Sequence, residues 1–139
     1  MGVVRREEIS VSTSSRNEFV DITDKVTSVV RESGVKDGYV LLYVPHTTAA
    51  VTINENYDPS VKRDILDKLS ELVPPNAGYA HTEGNADSHI KSSIIGVTKF
   101  IPVMDGRIQL GRWQGIFFCE FDGPRSRRLL VEVIEKYGQ

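Results

Sequence analysis

The order of hydrophobic and polar positions along the chain predicts strands interrupted by a few helices. Residues 3–12 alternate polar and apolar side chains, which is typical of a strand with one buried face. Apolar runs over residues 39–44, 116–121 and 129–134 predict three further strands. Asp105-Gly106, between two short apolar segments, is the two-residue signal of a β-hairpin.

Two helices follow from the same pattern and from their end signals. The clearer one begins at Asp58-Pro59, a capping residue followed by proline at the first helical position. Apolar residues at helical spacing predict its inner face, namely Val61, Ile65, Leu69, Leu72 and Val73. A shorter helix is predicted between Thr23, as its N-cap, and Gly34, as its C-terminal stop.

A third helix, over residues 86–95, competes with an extended reading of the same segment. Asn85 is a suitable cap, and Ile90, Ile94 and Ile95 would face inward. If the segment were extended, all odd-numbered side chains from His81 onward would share one face. We favour a loop through Asn85 and a helix after it.

Together these elements predict an α+β fold in one compact domain. Strands joined by hairpins dominate, so the sheet should be mostly antiparallel, with two or three helices. The 139 residues match one domain, spanning 1–139, without repeats or a linker.

Composition narrows the classes of partner and compartment. Seventeen basic against nineteen acidic residues give a net charge of −2, which favours neither nucleic acid nor a membrane surface. No apolar stretch approaches the roughly 20 residues of a membrane span. The first ten residues lack the apolar core of a signal peptide, and Cys119 is the single cysteine. We therefore expect a cytoplasmic, reduced protein.

The histidines are the first candidates for chemistry. His81 and His89 lie in one polar run with Glu83 and Asp87, and the third histidine, His46, ends an apolar segment. Imidazole serves as proton shuttle and metal ligand, and neighbouring carboxylates orient it. Three imidazoles could hold a catalytic zinc ion, although the spacing matches no standard zinc motif. Hydrogen-bonded structural histidines remain the alternative.

Three further polar groups could touch a ligand. Asn54 and Glu55 lie between a strand and the clear helix, where a polar turn is the plainer interpretation. Trp113 and Gln114 lie between two glycines, and could cover an aromatic ring or form a packed turn. Glu120 stands in an apolar strand, where a carboxylate needs a partner. The arginines at positions 125, 127 and 128 could pair with it or hold a phosphate.

At these motifs the chain resembles the YjbQ-like family, which is often labelled secondary thiamine-phosphate synthase. The matching segments follow one another over nearly the whole chain: His46-Thr47-Thr48, residues 52–56, residues 81–89 and residues 111–125. The resemblance implies a homotrimer with sites at subunit boundaries. It also implies a cluster of the three histidines surrounded by Glu83, Asn85 and Asp87.

The resemblance further implies that hydroxymethylpyrimidine diphosphate and thiazole phosphate are joined with loss of pyrophosphate, as a secondary activity. The catalytic residues predicted from this and from the residue types are His46, His81, His89, Glu83 and Asp87. The same three histidines, His46, His81 and His89, are the predicted ligands of zinc or another divalent metal. The predicted substrate-binding residues are Asn54, Glu55, Asn85, Lys91, Trp113, Gln114, Glu120 and Arg125.

Two other functions stay open at this point. One is zinc-dependent hydrolysis of a small phosphorylated metabolite by a metal-activated water. The other is a trimeric module that binds an anion without catalysis. All three hypotheses share a phosphorylated or anionic small molecule as the partner.

Overall fold

Within residues 1–137, which the computed structural model describes, eight strands form two antiparallel sheets. The strands are β1 (Gly2–Ser12), β2 (Glu18–Asp21), β3 (Asp37–Tyr43), β4 (Ala49–Glu55), β5 (Thr98–Met104), β6 (Arg107–Ile108), β7 (Gln114–Glu120) and β8 (Ser126–Glu135). The larger sheet has the order β1-β8-β3-β5-β6, and the smaller has the order β2-β7-β4. All neighbouring strands run antiparallel.

The described helices are α1 (Thr23–Ser33), α2 (Pro59–Leu72) and α3 (Ala86–Ile95). The predicted α+β fold is thus confirmed, including the loop through Asn85 and the helix after it. Asp105 and Gly106 both have positive φ, as the predicted two-residue hairpin between β5 and β6 requires. None of the helices described in residues 1–137 is long and apolar enough to cross a membrane.

Two hydrophobic clusters hold the layers together. The larger cluster lies between the sheets, where Leu42 and Val131 of one sheet and Phe118 of the other pack with the apolar face of α1. The smaller cluster covers the opposite face of the small sheet, where Phe117 and Cys119 pack beneath α2 and α3. The small sheet is therefore the middle layer, with both faces buried.

Helix α2 begins as predicted but buries a narrower face. The carboxylate of Asp58 accepts a hydrogen bond from the backbone N–H of Ser60, which caps the helix. Leu69 and Val73 are buried, whereas Leu72 is 67% exposed. The prediction that Leu72 faces inward was wrong, because the contact with the small sheet takes in only a narrow side of the last turn.

Helix α3 turns a polar face to the protein, against the prediction. Its buried residues are Ala86, Asp87, Ser88, Lys91 and Ser92. Of the three isoleucines predicted to face inward, Ile90 and Ile94 are exposed and Ile95 packs against the smaller cluster. The cause is hydrogen bonding at strand ends. The hydroxyl of Ser88 donates to the carbonyl of Phe121 at 2.5 Å, and that of Ser92 donates to the carbonyl of Ala49 at 2.6 Å. These bonds fix which side of α3 faces the sheet.

Candidate active site

An open pocket of about 410 Å³ lies where β4 and β8 begin, where β7 ends and where α3 starts. The residues around it come from three loops that meet there and from the starts of α3 and β8: Pro45, His46, Thr47, Thr48, Glu83, Asn85, His89, Asp122, Arg125 and Arg127. Five predicted site residues are in this set, namely His46, His89, Glu83, Asn85 and Arg125. Segments far apart in sequence thus meet at one end of the small sheet.

The three histidines line two neighbouring cavities. The rings of His81 and His89 meet edge to face, with their centroids 5.3 Å apart. Nε2 of His81 is 3.8 Å from a carboxylate oxygen of Glu83. His46 borders the same pocket as His89, whereas His81 borders an adjoining cavity of about 210 Å³ together with Asp87. The polar run from residue 81 therefore faces two adjacent cavities.

His46 is held as a neutral imidazole with a defined tautomer. Its Nε2 accepts a hydrogen bond from the backbone N–H of Arg128 at 3.0 Å, so the ring proton is assigned to Nδ1. Burial lowers the pKa of His46 below 6.5, and the positive charges of Arg127 and Arg128 lower it further. At neutral pH His46 is consequently an uncharged hydrogen-bond donor.

Glu120 is completely buried and paired with Arg127. One carboxylate oxygen accepts from Nε of Arg127 at 2.9 Å and from the hydroxyl of Thr13 at 2.7 Å. The other oxygen accepts from Nη2 of Arg127 and from the backbone N–H groups of Phe121 and Asp122. This saturated carboxylate has no surface left for a ligand, so the geometry does not favour the predicted substrate contact.

The pair explains both the charge of Glu120 and the position of Arg127. Burial alone would raise the pKa of Glu120, but hydrogen bonds from Arg127, Asp122 and Thr13 bring it below 4.5. Nη2 of Arg127 also donates to the hydroxyl of Thr48 at 2.8 Å, in the loop that carries His46. Glu120 thereby positions Arg127, and Arg127 positions the loop.

Arg125, Asp122 and Asn85 form a second connected group at the pocket. Nη2 of Arg125 donates to the Asp122 carboxylate at 2.7 Å, and the side-chain amide of Asn85 donates to it at 2.9 Å. Burial would raise the pKa of Asp122, but these two hydrogen bonds keep it below its ordinary value. Oδ1 of Asn85 is buried and has no partner in the described chain. A buried acceptor without a partner is uncommon in a folded protein.

Asp87 and Lys91 lie beneath α3, inside the protein. Asp87 accepts from Arg16 at 2.9 Å, and its other oxygen is 3.7 Å from Nζ of Lys91. Lys91 is 1% exposed and donates to Asn17 and Ser70, away from the histidine pocket. The prediction that Lys91 binds substrate beside the histidines does not agree with this position, because the buried face of α3 points the other way.

The predicted aromatic group lies at the far end of the small sheet. In the β4–β7 ladder Ala49 pairs with Glu120 and Glu55 pairs with Gln114. Six residues of strand, at about 3.3 Å each, separate the two ends by about 20 Å. Trp113 contacts Tyr57 there, with ring centroids 5.1 Å apart. Asn54, Glu55, Trp113 and Gln114 thus form a separate group that cannot reach the histidine pocket of their own chain.

The three histidines are not arranged as the predicted zinc site requires. In the described part of the chain, no three His, Cys, Asp or Glu side chains are grouped so that they could hold a metal ion. Nε2 of His46 is already bonded to the backbone, which leaves only Nδ1 as a ligand atom. The residues as placed do not fit a preformed zinc centre.

Sequence reasoning missed three contributors to this site. The carboxylate of Asp122 orients Asn85 and Arg125. The hydroxyl of Thr48 accepts a hydrogen bond from Arg127. Arg16 forms an ion pair with Asp87. The signal for Asp122 was its place directly after the strand that ends in Glu120. Thr48 and Arg16 carried no such signal, since their roles depend on contacts far along the chain.

The fold and the pocket define a small two-sheet α+β protein with a histidine- and arginine-lined pocket at one end of its smaller sheet. The family model described as UPF0047 protein YjbQ-like matches residues 7–136. The chain therefore belongs to the YjbQ-like UPF0047 family.

Its relatives cover nearly the whole chain. A UPF0047 protein of Methanocaldococcus jannaschii is 56% identical over 124 residues, which are 89% of this chain and 90% of the relative. The crystal structure of a YjbQ/UPF0047 protein of Clostridium acetobutylicum has a TM-score of 0.91 at 49% identity and covers 92% of this chain and 99% of its own. The structure of a YbjQ-like protein of Sulfolobus solfataricus has a TM-score of 0.92 at 38% identity, covering 95% and 97%.

The buried ion pair generates a testable prediction. Replacing Glu120 by Gln leaves Arg127 buried without a counter-charge, and should lower the free energy of unfolding by about 3–5 kcal/mol. Glu8→Gln breaks an exposed pair with Arg128 and should cost less than about 1 kcal/mol. Urea unfolding of both variants at pH 7 measures the difference. Equal, small losses in the two variants would contradict the assigned role.

The same variant has a defined pH dependence. The pKa of Glu120 is lower in the folded protein than its ordinary 4.5, so the contribution of its charge to the free energy of unfolding is complete above pH 4.5. This contribution is lost as the pH falls through the pKa that Glu120 has in the folded protein. The stability gap between wild type and Glu120→Gln should therefore narrow only in acid.

Proposed function

We propose that this chain is a cytoplasmic enzyme that acts on a phosphorylated small molecule in the pocket between His46 and His89. The observation that carries this proposal is that two imidazoles and the Arg125 guanidinium border one open pocket. Its volume of about 410 Å³ is in the range of metabolite sites. The proposed reaction is of the secondary thiamine-phosphate synthase type, which the family resemblance implies.

Arg125 and His46 are the proposed phosphate-binding residues. Half of the Arg125 side chain is exposed, and Asp122 holds it from one side, so its remaining N–H groups can serve an anion. His46 adds an uncharged N–H donor. Arg127 is already paired with Glu120, so it contributes orientation rather than a free charge.

In the proposed transfer the methylene–oxygen bond of the pyrimidine diphosphate breaks, and pyrophosphate leaves with the bonding electrons. The thiazole nitrogen forms the new bond to the methylene carbon. Negative charge grows on the departing oxygens, where N–H groups of Arg125 and His46 stabilise it. Asn85 lines the pocket and donates to the Asp122 carboxylate that orients Arg125. His89 borders the pocket on the α3 side and donates a further hydrogen bond to the departing pyrophosphate.

Replacing His89 tests the assignment. His89→Ala should reduce the turnover of the pyrimidine diphosphate with thiazole phosphate by about 100-fold, the usual cost of one hydrogen-bonding group in a transition state. Ser28→Ala, an exposed change on α1 outside the lining of this pocket, is the control and should keep wild-type turnover. Product is quantified by liquid chromatography. Unchanged turnover in His89→Ala would remove this pocket from the reaction, and tight binding without product in wild type would favour the anion-binding module.

Metal binding by His46, His81 and His89 stays a prediction, because the described chain does not group them as a ligand set. If it holds, protein incubated with zinc and then dialysed should retain about one ion per chain by elemental analysis, as one site implies. The triple alanine variant should then retain none. If the wild-type protein retains no zinc after the same treatment, the metal prediction is wrong. The zinc hydrolase alternative is then wrong as well.

We also propose that the protein works as a homotrimer and that a neighbouring subunit completes the site. Trp113 and Gln114 are about 20 Å from the histidine pocket of their own chain, by the spacing along β4 and β7. Ile90 and Ile94 on α3 and Trp113 with Tyr57 are exposed apolar side chains, as subunit contacts require. Trp113 of one subunit would then cover the ligand bound at His89 of the next.

Mixing two inactive variants tests the shared site. His89→Ala and Trp113→Ala subunits, unfolded together and refolded, should recover about a quarter of wild-type sites if each site takes one group from each of two subunits. His89→Ala mixed with His46→Ala is the control and should recover nothing, since both groups come from one chain. Native mass spectrometry verifies the mixing. No recovery in well-mixed oligomers would contradict a shared site.

A further inference from the structure

A second cleft lies on the other side of α3, between α2 and the segment that connects β1 to β2. Its volume is about 530 Å³, against about 410 Å³ for the histidine pocket. The polar residues around it are Asn17, Lys62, Arg63, Asp67 and Ser70. It shares no lining residue with the histidine pocket. Nothing in the proposed reaction uses this cleft.

A buried lysine lies directly behind the cleft. Nζ of Lys91 donates to Oδ1 of Asn17 at 3.1 Å and to Oγ of Ser70 at 3.2 Å, and both acceptors line the cleft. Lys91 itself is 1% exposed. A lysine in this position is costly to bury, so its polar contacts should be part of a built arrangement.

The charges behind Lys91 leave this region positive. Asp87 is the carboxylate nearest to it, with 3.7 Å between Oδ2 and Nζ. The same carboxylate also pairs with Arg16 at 2.9 Å. Burial and the charge of Arg16 lower the pKa of Lys91, and Asp87 offsets only part of this decrease. One carboxylate thus faces two cations, Lys91 and Arg16.

The contacts of Lys91 determine what Asn17 and Ser70 can offer to a ligand. Because the carbonyl oxygen of Asn17 accepts from Lys91, the amide N–H groups remain as its donors. The hydroxyl of Ser70 likewise accepts from Lys91, so its own proton is free to be donated elsewhere. Lys62 and Arg63 add cationic donors at the same cleft, against the one carboxylate of Asp67. The cleft is therefore rich in donors and poor in acceptors.

We propose that this cleft is a second binding site, for a small metabolite that carries an oxyanion, either phosphate or carboxylate. The oxyanion accepts hydrogen bonds from Ser70, Asn17 and Arg63, with the positive charge of Lys91 behind them. Charge-assisted hydrogen bonds of this kind are the strong ones in proteins. The ligand enters from the exposed side of α2, independently of the histidine pocket.

Nuclear magnetic resonance of the ¹⁵N-labelled full chain tests the proposal directly. Titration with inorganic phosphate, and separately with citrate, should shift the side-chain amide of Asn17 and the backbone amide of Ser70. Arg63→Gln should weaken this binding about tenfold, as the loss of one charge-assisted hydrogen bond implies. Ser70→Ala should weaken it as well, because the donated proton is gone.

Two controls separate this site from others. Arg31→Gln removes the same charge from an exposed position on α1, outside the lining of the cleft, and should bind as wild type does. Arg125→Gln alters the histidine pocket and should leave the shifts of Asn17 unchanged. Arg63 is exposed, so its variant should remain folded even if Ser70→Ala is destabilised.

The outcomes are distinct. Shifts with phosphate alone or with citrate alone support the site and define the anion it prefers. Shifts that vanish in Arg125→Gln but persist in Arg63→Gln would assign the binding to the histidine pocket and overturn this proposal, while leaving the proposed function intact. The absence of any shift at Asn17 and Ser70 with either anion would overturn it as well.

Discussion

The buried pair of Glu120 and Arg127 joins the parts of the molecule that the candidate site requires. Glu120 is the last residue of β7 in the small sheet, and Arg127 is the second residue of β8 in the large sheet, so the pair links the two sheets at the ends of inner strands. Thr13 after β1 and Thr48 before β4 are bonded to the same two side chains. Because every oxygen of Glu120 is satisfied, the desolvation cost of the pair is offset by fixed hydrogen bonds. Apolar replacements could fill that volume, but they could not hold the loop that carries His46.

Helix α3 depends on a comparable set of polar contacts and has consequences on both of its sides. Ser88 and Ser92 bond to carbonyl groups at strand ends, and Asp87 and Lys91 lie between them. The start of the helix then presents Asn85 and His89 to the histidine pocket. The opposite side brings Lys91 beneath the second cleft. One polar helix face therefore positions residues at two separate cavities, the two binding sites that we propose.

Local signals in the sequence were enough for most of the fold. Asp58 before Pro59 marks a helix start by its own hydrogen bond, and Asp105-Gly106 marks a hairpin by its backbone preference. The orientation of α3 was predicted wrongly because its isoleucines suggested an apolar inner face. The true inner face is decided by partners about 33 and 43 residues away in sequence, at Phe121 and Ala49. Rules based on hydrophobic periodicity use only a short window of sequence, so they cannot predict hydrogen bonds to such distant acceptors.

The residue types of the candidate site could be predicted from the sequence, but their separation into two groups at opposite ends of the small sheet could not. Histidines, an amide and arginines could be chosen by chemical type, and His46, His89, Asn85 and Arg125 do border one pocket. The antiparallel register of β4 and β7 nevertheless puts Trp113 and Gln114 at the opposite end of the sheet. A monomeric site would then lack an aromatic cover, while Trp113 would stay 48% exposed without a function. The neighbouring copy that we propose would account for both facts, because it could bring one end of the sheet to the other without bending either strand.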